Sequence, residues 1–205
     1  MATLARPLSR LPPRPSRPTP LEVDTEDAEL VRRAREGDTW ALDMLYRRHV
    51  QLVAATALRL LRNRAEAEDV AQETFLLAFE RLAQLDEPAA FRGWLVRIAV
   101  SRAHRRFRWR KLRSWVGLGE GEDATLALEA ADHVTAEQRA ELRLVDRALA
   151  SLPFELRTAW VLRHVLGHRL EEVAAACDCS LATIKRRIAA AEAHVAAHVE
   201  GGRDA

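Results

Sequence analysis

The sequence predicts an all-α protein of two small helical domains joined by a flexible acidic linker, and three observations carry that prediction. After the first twenty residues, every periodic segment repeats its apolar residues at helical spacing, and no alternating β-branched run with hairpin turns suggests a sheet. Those first twenty residues hold six prolines and four arginines with no acid, a composition that builds no packed core. Glycines at 117, 119 and 121 then break the chain between two periodic stretches. The expected organisation is a disordered Pro/Arg-rich tail over 1–22, a helical domain over 23–112, a linker over 113–134 and a second helical domain over 135–200.

In the first domain, Asp38 is a natural N-cap for a long helix through Trp40, Leu45 and Leu52 to about Leu61, where Asn63 supplies a turn. The next helix, "AEAEDVAQETFLLAFERL", turns Val70, Thr74 or Phe75, Leu77 and Leu82 toward a core and keeps acids in its first turns, where the helix dipole favours them. A short loop over Asp86 to Ala90 leads into "FRGWLVRIAVSRAHRRFRWRK". On a helical wheel Leu95, Val96, Ala99, Val100, Ala103 and Phe107 make an apolar side of that helix. Arg97, Ser101, His104, Arg105 and Arg108 fall on the opposite stripe, with Trp94 at the edge between them.

The second domain opens at Thr135, whose "TAEQ" has the capping-box pattern with Gln138. Pro153 starts the next helix and Gly167 stops it. "LEEVAAACDCSLATIKRRI" then reads as helix, tight turn, helix. Leu170, Val173, Ala174 and Cys177 form one apolar face, Cys179 points into the turn, Ser180 caps the second helix, and Ile184 with Ile188 face back. The exposed side of that last helix offers Thr183, Lys185, Arg186 and Arg187, residue types that contact base edges and phosphates in a major groove.

Charge is distributed in blocks. The net charge is only +2, yet residues 65–87 hold seven acids against Arg81 alone, and residues 88–119 hold nine bases and no acid. Residues 120–141 return to acid, with Arg139 the sole base. Glu68, Asp69, Gln72 and Glu73 fall at i, i+1, i+4 and i+5 and share one exposed side, suited to a basic or polar partner surface. The interleaving of arginines with Trp94, Phe107 and Trp109 combines phosphate-tracking charge with stacking surfaces, as single-strand binding uses. Trp40, Trp115 and Trp160 are assigned to packing or linker contacts.

With an acidic helix, a basic aromatic helix and a helix-turn-helix in this order, most of the chain resembles the extracytoplasmic-function sigma factors of bacterial RNA polymerase. "AEDVAQETFLLAFERL" is similar to the family's polymerase-binding segment, "FRGWLVRIAVSRAHRRFR" to its promoter-melting segment, and "ALASLPFELRTAWVLRHVLGHRLEEVAAACDCSLATIKRRI" to its C-terminal promoter-binding domain. The resemblance implies that Glu68, Asp69, Gln72 and Glu73 bind core RNA polymerase. It further implies that Asp86, Glu87, Pro88, Ala89 and Ala90 hold a base flipped from the non-template strand, and that Trp94, Arg97, Ser101, His104, Arg105 and Arg108 act in melting. By the same resemblance, Ser180, Thr183, Lys185, Arg186 and Arg187 fall on the element expected to read duplex DNA. Partners implied are polymerase, promoter DNA as duplex and single strand, and an anti-sigma factor. Where most relatives carry Asn and Asp, this chain has Ser101 and Arg105. Asp178 replaces the turn glycine, and Asp tolerates a left-handed backbone better than most residues.

No phosphate-cradling glycine loop, nucleophile elbow or paired carboxylate suggests an enzyme, and no cofactor is implied. His164, His168, Cys177 and Cys179 supply four possible zinc ligands, which keeps a second reading open: a zinc or thiol redox-sensing DNA-binding regulator. Both cysteines fall at apolar positions, where free Cys behaves as a small hydrophobe, and the expectation is no metal. Cys177 and Cys179 are too few for a disulfide framework, no run approaches the roughly 18 apolar residues of a membrane span, and the expected location is the cytoplasm.

Overall fold

The computed structural model describes the backbone of residues 20–115 and 136–203, and side chains within 26–113 and 142–201. The described residues are helical, with no strand among them. Most of the expected tail, nearly all of the expected linker, Thr135 with its capping box and the side chain of Trp115 lie outside the described residues.

Four helices form the first body. α1 (Pro20–Arg35) occupies a stretch for which the sequence pattern predicts no element, and it begins inside the segment expected as tail. Among its described side chains the buried apolar ones are Leu30, Val31 and Ala34, and polar contacts add to the anchoring. Asp27, fully buried, accepts a hydrogen bond from Arg48 at 3.0 Å and pairs with His49 Nε2 at 2.7 Å. Arg35 donates from Nε to the Leu82 carbonyl at 3.1 Å and from Nη2 to that of Leu85, which ties α1 to the turn after the third helix. Burying Asp27 without those partners costs several kcal/mol.

α2 (Thr39–Leu61) starts where Asp38 predicts: its carboxylate accepts from the backbone N–H groups of Trp40 and Ala41. The Arg33 guanidinium, 2.5 Å from the Asp38 carboxylate, is the largest influence holding that acid below its usual range. α2 ends on Arg62 in the left-handed conformation, φ 58°, and Asn63 caps α3 (Arg64–Glu80) by accepting from Glu66 N–H. Two 3₁₀ turns, Leu82–Gln84 and Pro88–Ala90, lead to α4 (Phe91–Trp115), which runs into the segment expected as linker. Leu45, Val53, Phe75, Phe91 and Leu95 meet at the centre of this body.

The second body holds α5 (Ala136–Ser151), α6 (Phe154–Trp160), a single π turn over Val161–Val165, α7 (Leu170–Ala176) and α8 (Leu181–Arg203). Gly167, at φ 71°, stops the α6 segment as expected. Leu162, Val173, Ile184 and Ile188 are its interior, and this core is not closed on itself. It runs on into Leu60, Leu61, Val70, Val96 and Val100 of the first body, with α4 packed against α7.

Candidate nucleic-acid interface

α4 carries its cations on two stripes, and the structure separates them. Arg102, Arg106 and Arg110, four residues apart, lie on the side turned to α3, where Glu66, Asp69 and Glu73 recur at three- and four-residue spacing. The pairs form a ladder: Arg110 to Glu66 at 3.1 Å, Arg106 to Asp69 at 3.0 Å, and Glu73 with Arg102 at 3.7 Å, Arg106 at 3.5 Å and Arg105 at 3.3 Å. These groups are a fifth to three-fifths exposed, so each pair contributes about 0–1 kcal/mol; their effect is register between the helices more than stability.

The acids read from sequence as one exposed patch are therefore divided. Asp69 and Glu73 are engaged by α4, while Glu68 faces solvent and pairs with Arg64 at 3.0 Å, and Gln72 is exposed. Leu76, 65% exposed, continues the Glu68–Gln72 side one turn further. Sequence reasoning passed over Leu76 because an apolar residue in a helix reads by default as core. Trp40, assigned to packing, is 53% exposed and lies under the Arg33 guanidinium at 4.9 Å.

On the other stripe Arg97, Ser101, Arg105 and Arg108 are exposed, as the wheel predicts. Trp94 is half-buried, 6.2 Å from the Phe91 ring, and borders a cleft with Leu77, Arg81, Arg97 and Arg105. The loop residues Asp86, Glu87 and Ala90 are exposed and Pro88 and Ala89 half-buried, in a 3₁₀ turn where Glu87 accepts from Ala89 N–H at 3.3 Å. α1 packs on this turn.

Two expected members of the basic aromatic face are not free. Phe107, half-buried on the apolar side where the wheel puts it, packs against Phe154, centroids 5.0 Å apart, and the guanidiniums of Arg110 and Arg157 lie 5.6 and 5.4 Å from its ring centre, so the ring is already engaged by protein contacts. His104 stacks on Phe154 at 4.9 Å and 8°, and its Nε2 is 3.3 Å from Glu155. Trp109, by contrast, is 60% exposed.

In the second body Ser180 caps α8 as expected: its Oγ accepts from Thr183 N–H at 3.2 Å, and the two hydroxyls are 2.9 Å apart. Asp178 adopts φ 51°, so the left-handed turn persists without glycine. Lys185 and Arg186 are exposed; Thr183 and Arg187 are half-buried, and Arg187 leans back to 3.7 Å from Cys179 Sγ. The four candidate zinc ligands do not converge. His164 pairs with Glu192 at 3.0 Å and His168 with Glu172 at 3.4 Å, and no metal-holding group of three or more ligand side chains occurs among the described residues. Burial, with the neighbouring Cys179 adding to it, pushes the Cys177 thiol up to about 12, which suits an inert core residue rather than a redox thiol.

Comparison with known proteins places both helical bodies in one family. The sigma-70 region 2 family matches residues 45–113 and the sigma-70 region 4 family residues 142–195. The RNA polymerase sigma-H factor of Pseudomonas aeruginosa is 32% identical over 170 residues, covering 80% of this chain and 88% of the relative. The ECF RNA polymerase sigma-E factor of Haemophilus influenzae is 31% identical over 169 residues, covering 79% and 89%. The solved structure of CnrH in complex with the cytosolic domain of CnrY matches with a TM-score of 0.64 at 26% identity, covering 85% of this chain and 97% of that one. A sigma factor of Bartonella quintana, solved with the anti-sigma factor NepR, shares the fold at a TM-score of 0.62 and 22% identity, covering 77% and 96%.

Proposed function

We propose that this chain, which belongs to the extracytoplasmic-function sigma factors of bacterial RNA polymerase, docks on polymerase through α3, opens the promoter with α4 and the turn before it, and reads duplex DNA with α8. As a sigma factor it binds core RNA polymerase and directs promoter recognition, melting and initiation. It acts on polymerase and DNA in the cytoplasm, and we assign it no reaction of its own.

The division of α4's cations carries the assignment. Arg102, Arg106 and Arg110 satisfy the acids of α3, which leaves Arg97, Arg105 and Arg108 to follow a phosphate backbone beside Trp94, Arg97 exchanging its exposed Asp178 partner for phosphate. Arg105 combines both tasks, its Glu73 contact being long and exposed. Trp94 at the rim stacks on a base at the edge of the opened duplex, and the Asp86–Ala90 turn holds a flipped one, which lowers the cost of unpairing by a few kcal/mol. Lys185 and Arg186 take phosphate or base contacts in the major groove, with Thr183 beside them and Arg187 available once it releases Cys179.

On α3 the surface offered to polymerase is Glu68, Gln72 and Leu76, an apolar anchor with polar neighbours, flanked by the part-neutralised Asp69 and Glu73. Reversing Asp69 and Glu73 also sets new cations against Arg102, Arg105 and Arg106, so Gln72→Arg/Leu76→Arg, on exposed positions, is the cleaner test. Pull-down of core polymerase is expected to fail with this variant while its helical circular dichroism and melting temperature stay unchanged. Undiminished capture would remove α3 from the polymerase interface. An anti-sigma factor is a further expected partner, the class of protein seen bound to the Bartonella quintana sigma factor.

A further inference from the structure

Arg81 is the one base in the acid-rich stretch 65–87, and none of the roles assigned above uses it. It caps α3 where the chain turns into Leu82–Gln84, and its backbone is fixed on both sides. Its N–H donates to the Leu77 carbonyl at 3.1 Å, its carbonyl accepts from Gln84 N–H at 2.8 Å, and Leu82 beside it is buried. The Arg81 side chain is exposed and lines the cleft between α3 and α4 that Trp94 borders.

That cleft measures about 330 Å³, at the lower end of the range for small-ligand sites. Trp94, Leu77 and Ile98, all half-buried, supply its apolar surface, and no carboxylate is among its lining residues. Three of its cations are engaged: Arg97 by Asp178 at 2.9 Å, and Arg102 and Arg105 by Glu73 at 3.7 and 3.3 Å. Arg81 has no ion-pair partner among the described residues. A guanidinium presents N–H donors in a rigid fork, and the adjacent O6 and N7 of guanine accept from such a fork together. Adenine sets an amino donor beside its N7, and thymine separates its two carbonyls by an N–H. Cytosine offers N3 and O2, but it gives Trp94 a smaller ring to stack on and turns its amino group to the same cationic wall.

We infer that Arg81 is a specificity-determining residue: the cleft takes one guanine of the non-template strand, its ring on Trp94 and its O6 and N7 on the Arg81 guanidinium. The flanking phosphates fall to Arg97 and Arg105, which trade exposed carboxylate partners for them. This guanine is a different base from the one held by the Asp86–Ala90 turn, and the inference rests on the assignment of α4 as the melting helix.

The test is selection by transcription, in which core RNA polymerase with the full chain initiates on a duplex library randomised across the element upstream of the start. Wild type is expected to enrich guanine at one non-template position. Arg81→Gln, at an exposed site, is expected to lose that preference and no other, a change of about 5- to 150-fold in the use of guanine over the remaining bases, the discrimination of one bidentate pair. Arg81→Lys keeps the charge without the fork and is expected to initiate normally with the preference still lost. On the enriched promoter, 7-deazaguanine lacks the N7 acceptor and is expected to work as poorly as adenine, whereas deoxyinosine keeps O6 and N7 and is expected to work as guanine does. Enrichment of another base at the position sensitive to Arg81, a guanine preference that survives Arg81→Gln or returns in Arg81→Lys, or equal use of guanine and 7-deazaguanine overturns the inference. If wild type initiates on no template, the melting assignment falls and this inference with it; base preferences indifferent to Arg81 remove this inference alone.

Discussion

Asp178 turns the helix-turn-helix with φ 51°, a conformation that costs an ordinary L-residue about 1–2 kcal/mol and glycine nothing. Replacing Asp178 by alanine keeps a β-carbon in that strained position and loses the Asp side chain's local compensation and its ion pair with Arg97. That pair is 53% and 82% exposed on its two sides, so its share is about 0–1 kcal/mol. Replacing it by glycine loses the same pair but removes the strain, offset in part by about 0.4–1 kcal/mol of added unfolded-chain entropy. The expected order is Asp178→Gly at least as stable as Asp178→Ala, with a gap of roughly 0.5–1 kcal/mol, the reverse of what the two residues do inside a helix. For a chain of this size that gap is about 1–4 °C in melting temperature. Thermal denaturation followed by circular dichroism in low and high salt measures it, the salt series removing the ion-pair share common to both variants. An alanine variant that melts above the glycine variant would refute the claim that backbone strain, relieved by residue choice, sets this turn.

Three further outcomes are expected. Lys185→Ala/Arg186→Ala should weaken duplex binding and lower the slope of log affinity against log salt by about 1.8, the loss of two phosphate contacts; an unchanged slope means that these side chains reach no phosphate. Trp94→Ala should keep polymerase binding yet show weak permanganate reactivity on intact promoter, regained on a pre-melted bubble, whereas normal melting on intact duplex leaves Trp94 a packing residue. Burial, then the charge of Arg92, lowers the affinity of His168 for a proton below its ordinary 6.5, against the raising influence of Glu172. The unfolded chain therefore binds that proton first, so the stability owed to neutral His168 is present above about pH 6.5 and lost as pH falls below it. Urea midpoints compared between neutral and mildly acidic pH should fall more in wild type than in His168→Gln, and equal falls would exclude His168 as the source.

What the sequence determined by itself is local. Asp38, Asn63 and Ser180 cap their helices because each capping oxygen reaches an N–H two or three residues away, and that reach is set by the chain's own geometry. The apolar side of α4 and the inward Ile184 and Ile188 follow from the 3.6-residue period in the same way. Asp178 in the left-handed turn and Gly167 at its helix end are likewise properties of single residues. The tertiary structure alone decided which partner each charge receives. Period distinguishes one face of α4 from the other, but not that Arg102, Arg106 and Arg110 meet Glu73, Asp69 and Glu66 while Arg97 meets Asp178, 81 residues away. It decided that Phe107 meets Phe154, that His104 lies under the same ring, that Leu76 is bare and that α1 forms on a buried Asp27. These depend on contacts between groups far apart in the chain, and helical spacing carries no information about them because many partners of equal charge or apolarity satisfy the same pattern.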